Sequence, residues 1–420
     1  MKNLRRAIEV WADWQEIGQP TRMGTLFATP VRSKEIFEFH YDSQWLKDPQ
    51  AQTLDPELQL FTGPQHPSQA TFGIFLDSTP DRWGRFLLDR REAQQAREED
   101  RPRRNLRDSD YLLGVFDEHR MGALRFRLEP NGPFLDDNRD CASPPWTSLR
   151  QLEQASLQLQ REDASSNSKY SKWLKMLIAP GGSLGGARPK AGVIDDNGHL
   201  WIAKFPSRED SHDQGAWEYV VHCLAQKSGI EVSAAQARTF STRHHSFLTQ
   251  RFDRHQQSRR HFASALTLLQ RTDGDDYTSG ASYLELVEFI GHSGVRVAQD
   301  LEQLWRRIVF SMCVSNTDDH LRNHGFLLTP SGWVLSPAYD LNPNPRGEGL
   351  KLNVSEVEND QDLDLALEVA GYFRLTPAAA RDILSEVTKA VSSWRLEAAR
   401  QGLNRKEIEA MENAFRLVET

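Results

Sequence analysis

Cysteine is scarce in this chain: three in 420 residues, Cys141, Cys223 and Cys313, far apart and without CxxC spacing. That scarcity excludes a disulfide framework and a zinc ribbon. No apolar run approaches the roughly 18 residues of a membrane span. The leading MKNLRRAIEVWADWQEIG has basic residues but no apolar core, so secretion is not expected. No repeat with a period of about 20 to 50 residues recurs, which sets aside a solenoid. Basic residues are not in excess either, with 51 Lys and Arg against 59 Asp and Glu, a net charge of −8. A surface given over wholly to nucleic acid is therefore not expected, although a local basic patch survives such averaging. These absences leave a cytoplasmic protein with no membrane partner.

A hydrophobic fraction of 38% and a charged fraction of 26% suit a chain with a sizeable core. At about 150 residues per domain, the length implies two or three domains or one large bilobal unit. Residues 24–30 and 35–41 read as strands, with Phe37, Phe39 and Tyr41 alternating at period two. DSTPDRWGR (77–85) opens a charged helix, and the mixed-sign run from Arg90 to Arg107 reads as a solvated face. A Pro, Gly, Asp and Asn-rich boundary loop falls at 131–145, followed by a helix beginning SLRQLEQ and the polar DASSNSKYS. Two strand-like runs flank the turn residues Asp196, Asn197 and Gly198, and the helix SHDQGAWEYVVHCLAQKS then ends at Gly229. Beyond Ala281 most of the chain reads helical, apart from an irregular interlude at 316–347.

Five features carry chemistry. The loop GGSLGGARPKA (181–191) lets backbone N–H groups approach phosphate oxygens, with Arg188 and Lys190 adding positive charge. It is neither a Walker A loop nor a GxGxxG motif. Lys204 follows in a strand, flanked by Ile202, Ala203 and Phe205, where an ammonium needs an anionic partner. Protein kinases place such a lysine on a strand after their glycine loop. Glu218, on the next helix, is the candidate partner for that lysine. Asp318 and Asn323 in NTDDHLRNHG stand five apart, the spacing of a kinase catalytic loop, where the aspartate accepts a hydroxyl proton and the amide oxygen ligates Mg²⁺. Asp340, in SPAYDLNP, follows a short strand and can hold Mg²⁺ as a DFG aspartate does, with Leu341 and Asn342 in place of Phe-Gly. A rival reading of the fourth feature takes His320 and His324, four apart, as zinc ligands on one helix face, although the Glu of HExxH is missing. The five features occur in the order that a kinase requires.

With these residues in view, the sequence resembles the HipA family of bacterial Ser/Thr kinases, toxins of type II toxin–antitoxin pairs. FLDSTPDRWGR (75–85), LGVFDEHRMGALRF (113–126), SLGGARPKA (183–191), IAKFP (202–206), QRFDR (250–254), NTDDHLRNHGFL (316–327) and SPAYDLNP (336–343) carry the resemblance along nearly the whole chain. It implies an α+β, bilobal, protein-kinase-like fold. The implied parts are an N-terminal subdomain (1–130), a kinase N-lobe with the glycine loop (131–252) and a helical C-lobe with the catalytic loop (253–420).

The resemblance also implies roles. Asp318 would be the catalytic base, with Asn323 and Asp340 as ligands of Mg²⁺. ATP would meet Gly185, Gly186, Ala187, Arg188, Pro189 and Lys190 in the loop and Lys204 on the strand. Gln250, Arg251 and Phe252 would form the hinge that receives adenine, and His320 and Tyr339 would complete the nucleotide contacts. Ser183 aligns with the family's autophosphorylated serine. The implied substrate is a translation protein such as an aminoacyl-tRNA synthetase, whose phosphorylation halts growth. The implied partner is a helix-turn-helix antitoxin, with operator DNA engaged mainly through it. An alternative class is a kinase-fold protein that binds partners or regulates its operon with little phosphoryl transfer.

Overall fold

The computed structural model describes residues 5–32, 34–135, 144–161, 163–181, 186–255 and 258–418. These residues form the α+β arrangement that the sequence implied. The chain divides into two compact units: the first holds Met1–Glu209, Phe240–Thr242 and Asp253–Ala263, and the second holds Asp210–Thr239, Arg243–Phe252 and Ser264–Thr420.

The first unit begins with β1 (Arg6–Ala12), β2 (Thr21–Val31), β3 (Lys34–Tyr41) and β4 (Pro64–Gln65). After α1 (Gly73–Asp77), α2 (Arg82–Glu98) and α3 (Asp108–Leu113) comes β5 (Leu124–Arg127), giving an antiparallel sheet ordered β4-β3-β2-β1-β5. Strand alternation places every second side chain on one face, and here Ile8, Val10 and Ala12 join Leu26, Ala28, Phe37, Phe39 and Tyr41 in the core. Phe75 of α1 packs on Phe39 and Phe126 at centroid distances of 5.7 and 6.1 Å.

The charged run on and after α2 is not uniformly solvated as expected. Glu92 is buried, and Arg101 and Arg104 both converge on its carboxylate, which they hold down at about 2.

Next come α4 (Leu149–Leu159), α5 (Tyr170–Gly181) and the hairpin of β6 (Lys190–Ile194) with β7 (Leu200–Lys204). The hairpin turn is closed by the Asp195 carboxylate, which accepts from the N–H groups of Asn197 (2.9 Å) and His199 (2.8 Å), and Gly198 takes φ +81°. Helix α5 was not read from the sequence. Three further strands, β10 (Arg254–His255), β11 (Ser258–Arg259) and β12 (Phe262–Ser264), follow two strands of the second unit.

In the second unit α6 (Gln214–Lys227) ends where Gly229 turns left-handed at φ +74°. It is followed by the hairpin of β8 (Ala235–Arg238) and β9 (Ser246–Gln250), the one-turn α7 (Ala265–Leu268), then α8 (Tyr283–Ser293) and α9 (Val297–Cys313). On α9, Leu301, Leu304, Trp305, Ile308, Val309 and Met312 are buried. Their spacing of three and four residues forms one continuous apolar stripe. The hairpin of β13 (Gly325–Thr329) and β14 (Gly332–Leu335) is fastened to that helix twice. Asp300 Oδ2 accepts from the Leu335 N–H at 3.0 Å, and Arg307 donates to the Ser336 carbonyl at 2.6 Å. Helices α10 (Leu363–Val369), α11 (Pro377–Val391), α12 (Trp394–Arg400) and α13 (Arg405–Met411) complete the unit, with a 3-10 segment at Glu412–Val418. Among the described residues no helix is long and apolar enough to cross a membrane.

Asp117 is the electrostatic centre of the first unit. It is 3% exposed, and Arg125 (2.6 Å) and Arg259 (3.0 Å) reach its Oδ2. Burial alone would raise its pKa, but the arginines outweigh burial and hold it below the ordinary carboxylate value. The stabilisation is therefore complete above the unfolded value of about 3.9 and disappears as pH falls through the lower folded one. Asp117→Ala should cost about 3 kcal/mol at neutral pH and lose less in acid, as read by urea unfolding at several pH values.

Candidate active site

Helix α9 delivers the chain into the segment with the densest chemistry. After Cys313, Ser315 adopts φ +48°, and the chain then folds back in a series of turns from Thr317 to Asn323. The Asp318 carbonyl organises this segment. It accepts from the His320 N–H at 2.9 Å and from the Asn323 side-chain amide at 3.0 Å. The five-residue spacing thus corresponds to a direct contact. The Asp318 side chain is exposed, while Asn323 is buried.

The neighbouring carboxylate behaves differently. Asp319 is 3% exposed; Tyr283 Oη donates to its Oδ2 at 2.7 Å, and Nε2 of His324 lies 3.1 Å from its Oδ1. Burial would raise the Asp319 pKa, but His324 and the hydrogen bonds outweigh it and hold the carboxyl below its ordinary value. Burial and the Asp319 charge together push the Tyr283 hydroxyl well above its own. His324 also meets the Tyr283 ring edge-on at 5.6 Å.

This geometry removes the zinc reading. The segment is a set of turns, so His320 and His324 share no helix face. Among the described residues no group of three His, Cys, Asp or Glu side chains is placed to hold a metal ion.

Asp340 follows β14 in a loop and takes φ +59°, a left-handed conformation that Asp tolerates better than most residues. Asn342 Nδ2 donates to its Oδ1 at 3.1 Å. The segment beyond is joined to the turn before Asp318 three times. The Asn342 N–H donates to Asn316 Oδ1 (3.2 Å), the Asn344 N–H to the Ser315 carbonyl (3.1 Å), and Asn344 Nδ2 to Thr317 Oγ1 (2.9 Å). A Cβ on Gly347 would stand 2.3 Å from Thr317 Oγ1, so only glycine permits this approach. Tyr339 Oη donates to the Arg322 carbonyl at 2.7 Å, and its ring lies 5.5 Å from that of Phe252. Gln250, the last residue of β9, donates its N–H to the Ala234 carbonyl at 2.8 Å, and Arg251 is buried. The second unit therefore brings Asp318 together with Asn323, and Phe252 with Tyr339. Glu218 is buried on α6.

In the first unit, Lys190 and Lys204 face each other across the β6–β7 pair. Lys190 is buried, and its Nζ lies 2.9 Å from the point a Cβ on Gly186 would occupy. Arg188 donates to the Phe205 carbonyl at 3.2 Å, Ala187 is exposed, and the Pro189 carbonyl accepts from the Phe205 N–H at 2.8 Å. Ser183 and Gly185 lie outside the described residues.

Two contacts were not anticipated. The Gly186 N–H donates to the Asp81 carboxylate, and Trp83 Nε1 donates to the Lys190 carbonyl at 3.0 Å. Residues of the DSTPDRWGR stretch thus hold the described end of the glycine loop, and Asp81 makes no side-chain cap on α2. No local signal connects the two stretches, which lie about 100 positions apart.

The α+β fold and the turns around Asp318 and Asn323 place the chain in a known class. Residues 182–394, half of the chain, match the HipA-like C-terminal domain, and the chain belongs to that family. Among solved structures it is similar to HipA of Shewanella oneidensis MR-1, determined as a toxin–antitoxin system with HipB and operator DNA. That likeness has 17% identity and a TM-score of 0.68, and it covers 98% of this chain and 95% of that one. The proinflammatory kinase CtkA of Helicobacter pylori matches at 15% identity over 56% of this chain and 95% of that chain, with a TM-score of 0.37. No curated protein matches.

The adjacent aspartates should separate in a stability assay. Asp319→Ala strands the buried Tyr283 hydroxyl and His324 and should cost about 3 kcal/mol. Asp318→Ala, at an exposed side chain, should leave the urea midpoint within error of wild type.

Proposed function

We propose that this chain is an ATP-dependent Ser/Thr protein kinase and the toxin of a toxin–antitoxin pair. The observation that carries the reading is the hydrogen bond from the Asn323 amide to the Asp318 carbonyl. It leaves the Asp318 carboxylate exposed to an acceptor hydroxyl and the Asn323 oxygen available to a cation. Mg²⁺ fits the donor set, because Asn323 and Asp340 offer only oxygen, the ligand type that hard cation takes. When bound, Mg²⁺ would supply positive charge against the charge that develops in the transfer.

The chain's own residues do the rest. Asp318 orients the hydroxyl of a Ser or Thr substrate and accepts its proton as the oxygen attacks the γ-phosphorus, while the bond from that phosphorus to the β–γ bridging oxygen breaks and ADP leaves. Asn323 and Asp340 would hold the cation. Gly185, Gly186, Ala187, Arg188, Pro189 and Lys190 cradle phosphate oxygens through backbone N–H groups and positive charge, and Lys204 pairs with the phosphates. Gln250, Arg251 and Phe252 receive the adenine, with His320 and Tyr339 in contact with the nucleotide. The division at 131 and 253 into subdomain, N-lobe and C-lobe belongs to the same proposal.

Family membership supports a translation protein, such as an aminoacyl-tRNA synthetase, as substrate in the cytoplasm. The assembly of the similar Shewanella protein with HipB and operator DNA supports a helix-turn-helix antitoxin here, with operator DNA reached mainly through it. Autophosphorylation of Ser183 would add about −1.5 to −2 charge beside the phosphate loop and repel the nucleotide. Mass spectrometry of ATP-treated active enzyme should find that phosphate, and its absence rejects the switch.

Asp318→Ala should lower transfer by at least about 100-fold while ATP affinity stays within a few-fold. Asp340→Ala should weaken Mg²⁺-dependent ATP binding. Expression of the wild-type chain without antitoxin should arrest growth, and expression of Asp318→Ala should not. Equal toxicity would favour a binding protein over a kinase.

A further inference from the structure

Asp340 is the proposed metal ligand whose surroundings depart most from the Asp-Phe-Gly pattern. The residue two positions on is Asn342, where a kinase has glycine. A glycine has no side chain with which to hold the aspartate, whereas Asn342 uses every polar group it has on that side. Its Nδ2 donates to Asp340 Oδ1 at 3.1 Å, and its backbone N–H donates to Asn316 Oδ1 at 3.2 Å. Its own Oδ1 accepts from Gln214 Nε2 at 3.2 Å. All four residues belong to the second unit.

Gln214 is the first residue of α6, and its position is fixed. Asp213, the N-cap of that helix, accepts from the N–H groups of Ala216 (3.1 Å) and His245 (2.9 Å), and its other oxygen lies 2.6 Å from His245 Nδ1. A Cβ on Gly215 would stand 2.0 Å from the His245 carbonyl oxygen, so the helix start is pressed against the residue that enters β9. Gln214 therefore extends from a clamped helix end. Asn342 can bond Asp340 and Gln214 together in only one amide orientation, oxygen toward the glutamine and nitrogen toward the carboxylate.

We propose that Asn342 is a positioning residue of Asp340, and that through Gln214 it couples the start of α6 to the affinity of the site for Mg²⁺. This rests on the kinase reading above. The Asn342 amide fixes the direction of one Asp340 oxygen, so the carboxylate enters metal binding already oriented. Groups that orient a ligating carboxylate typically change metal affinity by about 10- to 100-fold when removed. Displacement of α6 would release Gln214 and loosen the carboxylate with no change to any ligand.

The test is a MgCl₂ titration of the ATP-dependent rise in melting temperature, with Mn²⁺ binding followed by electron paramagnetic resonance as a second readout. Asn342→Ala should raise the half-saturating Mg²⁺ concentration about tenfold, with ATP affinity in EDTA unchanged. Gln214→Ala should raise it about threefold, and in the Asn342→Ala background should add nothing further, as expected of coupled residues. In transfer assays both should raise the KM for Mg²⁺ more than they lower kcat at saturating metal. A wild-type Mg²⁺ response that persists unchanged in Asn342→Ala overturns this inference and leaves the kinase reading standing. Effects of the two substitutions that simply multiply overturn the coupling. A wild-type protein with no Mg²⁺·ATP response overturns the kinase reading and this inference with it.

Discussion

A segment of turns has no ladder of its own, so the polar groups between Ser315 and His324 need fixed partners from elsewhere in the fold. Here the buried Asp319 supplies the main one. Its carboxylate takes the Tyr283 hydroxyl from α8 and lies against His324, which precedes β13. Asp318 is its immediate neighbour and is exposed. One carboxylate is taken up in holding the turn, and the next is exposed. The same division of labour recurs after β14, where Asn342 and Asn344 tie the chain to Asn316, Ser315 and Thr317, so that Asp340 and Asp318 lie at the two ends of one stitched segment.

The fixed parts explain why the segment can afford two left-handed residues, Ser315 and Asp340. Such conformations persist only where the surroundings over-determine them. Helix α9 provides that rigidity through its buried stripe and two hydrogen bonds at the β14 end, in which Asp300 accepts from the Leu335 N–H and Arg307 donates to the Ser336 carbonyl. Burial of Arg307 lowers its pKa to about 10, still leaving it charged near neutrality beside the carbonyl it serves.

Much of this was legible in the sequence because the signals were local. Phe37, Phe39 and Tyr41 alternate and are buried, Gly229 ends its helix, and Asp318 and Asn323 at a spacing of five are in contact. What escaped was non-local or masked by composition. Tyr283 stands 36 positions before Asp319, and no spacing rule connects them. Asn342 was visible as a departure from Phe-Gly, but its bond to Gln214, 128 positions away, was not. Helix α5 was hidden between a polar stretch and the glycines, although Tyr170, Leu174 and Leu177 repeat at helical spacing and are buried. The run from Arg90 to Arg107 looked uniformly solvated, because charge density alone does not reveal that Glu92 turns inward to meet Arg101 and Arg104. The zinc alternative failed for a related reason: a spacing of four brings two histidines together only on a helix.

The central claim is that this arrangement moves the terminal phosphoryl group of ATP onto a protein hydroxyl. Parallel incubations with ATP labelled at the γ-phosphate and at the α-phosphate, with Mg²⁺ present, test it most directly. The account predicts label on protein Ser or Thr from the γ-position only, and loss of that label in EDTA. Label from the α-position would indicate nucleotidyl transfer, and no label from either position would leave a kinase fold without its chemistry; both results contradict the account.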